Sequence, residues 1–278
     1  MTSDQRHHIQ SLLMRESLLD RDVMRATGET PVVRMLPNVH VVKVGSSSIL
    51  DKGRAVTWPL VEAIRKTLAT ERLILGTGGG ARSRHVYSIG IDLGLPTGVL
   101  AQLAAADALG NAHILGTLLA PQGVVAIPPE MFGHLLPLLI ASVPGVIFNG
   151  VPPYSLWEHP PEVGRIPPHR ADAGCFLLAE TFGCRSLTLV KDVAGVYTAD
   201  PKTDPSARFI REVGSRELAR MALPTLPFDR VLLELLDRAR LVDRFQVIDG
   251  TRPDLFGRAL AGEHVGTIVH AEHGGVLT

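Results

Sequence analysis

From Val39 onward the chain alternates short β-rich runs with longer runs of helical spacing, and few folds satisfy that pattern. "VHVVKVG" is followed by a stretch around Arg54 to Ala69 in which Trp58, Val61, Ile64 and Leu68 recur on one helical face, and then by "RLILG". A long helical region near Gly98 to Ala120, the strand "VVAI", a helix from about Pro129 and the strand "GVIFNG" continue the series. Strands are then expected at "SLTLV", "RFQVID" and "VGTIVH", with helices near Arg170 to Phe182, Asp229 to Leu241 and Asp254 to Leu260. Such alternation implies a largely parallel sheet covered by helices on both faces. Ligands of such folds gather at the carboxyl ends of the strands.

The rest of the chain fits one soluble domain preceded by an arm. No linker divides the 278 residues, and residues 37–278 read as one domain. Residues 1–36, with an imperfect stripe of Ile9, Leu12, Leu13, Leu18 and Leu19, read as an arm for subunit contacts. A formal net charge of zero argues against a general nucleic-acid or membrane-surface binder. The apolar stretch Leu135 to Phe148 is broken by two prolines and too short to span a bilayer. The polar N-terminus resembles no signal peptide. Cys175 and Cys184, at a spacing that suits neither a metal nor a redox pair, read as reduced core residues and point to the cytoplasm.

Four segments carry candidate chemistry. In "VVKVGSSSI", Lys43 ends a strand and Gly45, Ser46 and Ser47 follow in the turn, supplying a cation and close-approaching donors for a phosphate. In "LILGTGGGARSRH", Gly78, Gly79 and Gly80 leave amides unshielded at a helix start, with Arg82 just beyond. Asp172 in "RADAGCFLLAE" reads, taken alone, as a helix cap. In "LTLVKDVAGVYTADP" a strand delivers Lys191 and Asp192 into a turn that continues through Tyr197, Asp200 and Pro201. Neither glycine loop keeps the Walker or the dinucleotide spacing.

Together and in this order the segments resemble the amino acid kinase superfamily, over nearly everything from Val39 to Val269. The resemblance implies a three-layer αβα sandwich that binds ATP and Mg²⁺. It implies that Lys43 contacts the transferring phosphate, that Asp172 orients Lys43, and that the amides of Gly45, Ser46, Gly79 and Gly80 stabilise phosphate charge. Lys191, Tyr197, Asp200 and Pro201 would line the ATP pocket, and Asp192 would serve Mg²⁺. The C-terminal half is similar to bacterial uridylate kinases. The chain departs from them at Ala81, where an asparagine is usual, at Ala194, and in the insertion "VPPYSLWEHPPEVGRIPPHR" ahead of Asp172.

Those departures, the arm and the insertion resemble the metal-storing branch of the superfamily, and its alpha type more than its beta type. That branch uses ATP to drive molybdate or tungstate into polyoxometalate clusters inside a closed cage. The resemblance implies a hexamer formed with a second homologous subunit or with itself. It makes Glu130 and His134, one helical turn apart, and His159 and His169, flanking the proline loop, the expected cluster contacts. His113 is expected to be packed or at an interface. Two other functions remain open: a uridylate kinase-like nucleoside monophosphate kinase, and a catalytically silent nucleotide-binding cage subunit.

Overall fold

Val39–Val44 forms a strand, β1, in which every residue is buried, because helices cover both faces of the sheet at whose centre it lies. The computed structural model describes residues 31–272, apart from the side chain of His134. Residues 1–30, nearly all of the expected arm, lie outside the described residues, as do 273–278. The compact unit considered below runs from Arg34.

After β1 come α1 (Arg54–Thr67), β2 (Arg72–Gly76), α2 (Gly80–Asp92), α3 (Thr97–Leu119), β3 (Val125–Ala126), α4 (Phe132–Ser142) and β4 (Gly145–Phe148). The second half holds α5 (Ala171–Phe182), β5 (Ser186–Lys191), β6 (Val196–Tyr197), β7 (Phe209–Ile210), β8 (Glu212–Gly214), α6 (Ser215–Arg220), α7 (Val231–Arg238), β9 (Arg244–Asp249), α8 (Asp254–Leu260) and β10 (Thr267–His270). The main sheet has the order β3-β4-β2-β1-β5-β9-β10-β8. Its run from β3 to β9 is parallel, whereas β10 pairs antiparallel with β9 and β8 follows β10. A separate antiparallel pair joins β6 and β7.

Strand alternation builds the two cores. On one face Val41, Ile74, Leu189 and Val247 meet Leu136 of α4, Phe176 of α5, Leu218 of α6 and Leu232 of α7. On the other, Val42, Leu75, Val190 and Ile248 meet Ile64 of α1, Leu115 of α3 and Phe256 of α8. The three-layer αβα sandwich with a largely parallel sheet is therefore what forms. Cys175 and Cys184 are free and buried, and burial pushes the Cys184 thiol up to about 12.

Local departures from expectation have physical causes. Leu60 rather than Trp58 joins the core beside Val61 and Ile64, while the Trp58 ring lies 4.9 Å from the Arg54 guanidinium and 5.8 Å from that of Arg65. The helix expected to reach Leu241 stops at Arg238, where the Glu180 carboxylate accepts the backbone N–H groups of Arg240, Leu241 and Val242. Besides the stretch Leu135 to Phe148, the described residues hold one helix, the 26 residues Thr97–Gln122 with a mean hydropathy of 1.3 over one window, that is long and apolar enough to cross a membrane by length and composition. In the fold, Ala108, Ala112 and Leu115 bury one side of this helix, and Leu103 and Ile114 are exposed on another. His113 is exposed on the same helix rather than packed in the core.

Candidate functional site

The register of two neighbouring strands sets the centre of the site. Lys43 of β1 pairs with Leu189 of β5, so Lys43 and Lys191, two residues beyond Leu189, leave the sheet on one face near its carboxyl edge. Asp172, the second residue of α5, lies between them. Its Oδ1 is 3.0 Å from Lys43 Nζ, and Lys191 Nζ donates to Oδ1 at 3.0 Å and to Oδ2 at 2.9 Å. The backbone N–H of Asp229 donates to Oδ2 at 3.2 Å. All three side chains are buried. Asp172 is thus no cap: the N-cap position belongs to Arg170, and no side chain caps α5.

Charge explains why this arrangement persists. Burial alone would raise the Asp172 pKa, but the ammonium groups of Lys191 and Lys43 outweigh it and hold the carboxyl well below the usual range. Burial pushes Lys191 down to about 8 against the pull of Asp172. For Lys43 burial is offset by Asp172, and its pKa ends above the ordinary value. Two ammonium groups share one carboxylate, so the cluster carries one excess positive charge and suits an anion.

Two glycine turns close over this charge. The Ser46 hydroxyl donates to the Gly78 carbonyl at 2.5 Å and accepts the Gly78 N–H at 2.8 Å. Asn111 Nδ2 also donates to that carbonyl, at 2.7 Å. A Cβ on Gly45 would stand 2.8 Å from the Val190 carbonyl oxygen, so the turn after β1 excludes any side chain there. The Gly45 N–H already donates to Val190 O at 2.9 Å. Of the four amides expected to hold phosphate, that of Gly45 is therefore already engaged within the fold. Asp51, absent from the expected set, accepts the Ala81 N–H at 2.8 Å.

These groups line an open cleft of about 520 Å³. Lys43, Asp172, Gly45, Ser46, Ser47, Gly78, Gly79, Gly80, Lys191, Asp192, Tyr197, Asp200 and Pro201 all border it. Arg82 does not: its guanidinium donates to Asn111 Oδ1 and so braces the glycine turn from behind. Arg84, two residues on, borders the cleft and donates to Ser47 Oγ at 3.3 Å. Along the same cleft Asp200 Oδ1 accepts the Lys202 N–H at 2.9 Å, and the Tyr197 ring lies 5.4 Å from that of Phe209. Asp192, expected to serve Mg²⁺, is held by Lys52 at 2.6 Å and by Lys202 at 2.5 Å. Burial alone would raise its pKa, but the hydrogen bonds from these lysines lower it.

Beside Asp172 the cleft is built from residues that the sequence does not single out. Arg170 Nε and Nη2 donate to Asp229 Oδ1 at 2.9 and 2.5 Å. Asp229 Oδ2 is buried without a hydrogen-bond partner. Tyr87 borders the same space, and burial pushes its phenol up to about 12, leaving it a donor at neutral pH. A helix-start arginine and a distant "PFD" carry no spacing signal of their own, because 59 residues separate them.

The insertion forms an ordered loop around Glu158, which also escaped the sequence reading. Its buried carboxylate accepts the N–H of His159 and of His169, each at 3.1 Å, and lies 2.9 Å from His169 Nδ1. The His159 and His169 rings meet with centroids 5.0 Å apart. Glu130 does not share a helix with position 134: it is exposed in a 3-10 turn, Pro129–Met131, that precedes α4. The structure thus joins His159 to His169, and Glu130 borders no part of the cleft.

A largely parallel αβα sheet with a lysine-clamped aspartate beneath paired glycine turns defines an α/β protein whose cleft suits an anion. The sequence profile of the amino acid kinase family matches residues 38–241, and the chain belongs to that family. It is 45% identical over 263 residues to the molybdenum storage protein subunit beta of Azotobacter vinelandii, covering 95% of this chain and 97% of that one. It is thus a homologue of a metal-storage subunit; the sequence resemblance points to the alpha type, whereas this relative is of the beta type. It is 30% identical over 246 residues to a uridylate kinase of Thermofilum pendens, covering 83% and 97% of the two chains. The crystal structure of uridylate kinase from Archaeoglobus fulgidus shares the fold, with a TM-score of 0.63 at 22% identity over 83% of this chain and 99% of that one.

Proposed function

We propose that this chain is a storage subunit that binds MgATP in the cleft and hydrolyses it to drive molybdate or tungstate into oxide clusters. It works in a hexameric cage, built with a second homologous subunit or with itself, in a reduced compartment such as the cytoplasm. The observation that carries this reading is a complete phosphate end, Lys43–Asp172–Lys191, in a chain 45% identical to a molybdenum storage subunit.

Lys43 and Lys191 take the charge of the terminal phosphates, and Asp172 keeps both ammonium groups aimed at one point. The amides of Ser46, Gly79 and Gly80 receive phosphate oxygens. Tyr197, Asp200 and Pro201 border the nucleotide end. Mg²⁺ favours oxygen ligands and keeps much of its water shell, so it would arrive on the nucleotide phosphates. Asp229 Oδ2, buried beside the cleft without a partner, is the carboxylate oxygen that fits it; Asp192 is already held by two lysines. The ion would neutralise phosphate charge there. Hydrolysis joins a water oxygen to the γ-phosphorus and breaks its bond to the bridging oxygen, releasing ADP and phosphate.

A uridylate kinase is the second reading, favoured by the 30% identity to such an enzyme. The purified protein should be incubated with MgATP and molybdate, freed of unbound metal, and assayed for molybdenum per chain beside a uridylate phosphorylation assay. ATP-dependent molybdenum retention without uridine diphosphate is expected. Stoichiometric uridine diphosphate with no retained metal overturns the storage reading, and nucleotide binding with neither product identifies a silent subunit.

A further inference from the structure

We propose that Glu158, His159 and His169 form a binding site for one divalent transition-metal ion of the zinc type, distinct from any oxide cluster. One ligand atom from each residue lies within 4.8 Å of the others. Ligands bonded to one tetrahedral Zn²⁺ at about 2.0–2.1 Å stand about 3.3–3.4 Å apart. His169 Nδ1 and Glu158 Oε1, 2.9 Å apart, are already within that span, whereas His159 Nε2 and Glu158 Oε1, 3.9 Å apart, must draw closer. Only His159 has to turn to close the set, and its side chain, 63% exposed, is free to do so.

The loop holds these ligands in place before any ion arrives. Glu158 is fixed by the two main-chain N–H groups that flank the prolines, with Oε1 receiving His159 and Oε2 receiving His169. Pro160 restricts the backbone of His159, and Pro168 fixes the chain entering His169. A buried carboxylate set between two imidazoles matches a two-nitrogen, one-oxygen set with an open position. The same carboxylate disfavours an oxoanion, so the assignment of His159 and His169 to oxide clusters gives way to a cation.

The test uses the full chain, stripped with a chelator that is then removed, and titrates it with Co²⁺ as the probe, followed by Zn²⁺ in competition. One equivalent of Co²⁺ per chain with visible absorption is expected, displaced by Zn²⁺. His159→Ala should weaken Co²⁺ binding at least ~10-fold, and Glu158→Gln should abolish it. ATP affinity, a control for folding, should hold in His159→Ala because that side chain does not border the cleft. Absence of saturable uptake, uptake unchanged in both variants, or loss in Glu158→Gln alone overturns the three-ligand site. So does molybdenum retention that depends on His159 in a protein that takes up no Co²⁺.

Discussion

Asp172 is where two buried ammonium groups converge, and most of the site's chemistry hangs on it. Replacing it with asparagine leaves two buried cations without a counter-charge, which should cost about 3–5 kcal/mol, read by denaturant unfolding, and should abolish ATP-dependent loading. An unchanged midpoint would show that the lysines find another partner. The depressed pKa of Lys191 gives a pH signature. Between about 8 and its ordinary value of 10.5 the folded state holds fewer protons than the unfolded one, so this group alone makes stability rise with pH across that window. ATP binding runs the other way, since the anion needs the ammonium group. Affinity by calorimetry should fall as pH climbs through about 8, and Lys191→Met should remove the inflection. Lys43 and Asp172 were legible in the sequence through motif order. The pairing of Asp172 with Lys191 was not, because it requires β5 to lie beside β1.

Turns, more than helices and strands, carry the site. The Ser46 hydroxyl ties the turn after β1 to the turn after β2 through both polar groups of Gly78. Ser46→Ala leaves the Gly78 N–H without that acceptor and should cost about 1–3 kcal/mol, with weaker ATP binding, as a thermal-shift and calorimetry pair would show. Gly150, with φ +71°, turns the chain out of β4, and a Cβ there would stand 3.1 Å from Ala171 Cβ and 3.2 Å from the Thr77 carbonyl carbon. Gly150→Ala should therefore destabilise by about 1–3 kcal/mol or more, and a fully stable variant would contradict that geometry. The repeated glycines of "GTGGGA" were readable as a turn leading into a helix at the cleft. The inward rotation of Arg84 in place of Arg82 was not, since Asn111 on α3 captures Arg82.

At the scale of the whole molecule, the feature left open by a single chain is α3, whose Leu103 and Ile114 are 39% and 49% exposed. A helix apolar on several sides is ordinarily covered on them. Light scattering should give a mass that is a multiple of 29.9 kDa. Joint Leu103→Glu and Ile114→Glu substitution should lower that mass while ATP binding persists. A protein that is monomeric before substitution would remove the assembly from the proposal.

Periodicity and turn chemistry, both local, made the αβα layers, the order of strands and helices and the two glycine turns readable from the sequence. Contacts between distant segments were decided only by tertiary packing. The reversed β10, the seat of Lys191 on Asp172, the Arg170–Asp229 pair and the place of Glu158 between His159 and His169 are of this kind. Each depends on which strands become neighbours and which way a loop folds back. Those outcomes follow from how whole faces of the sheet are buried, and no short stretch of residues encodes them.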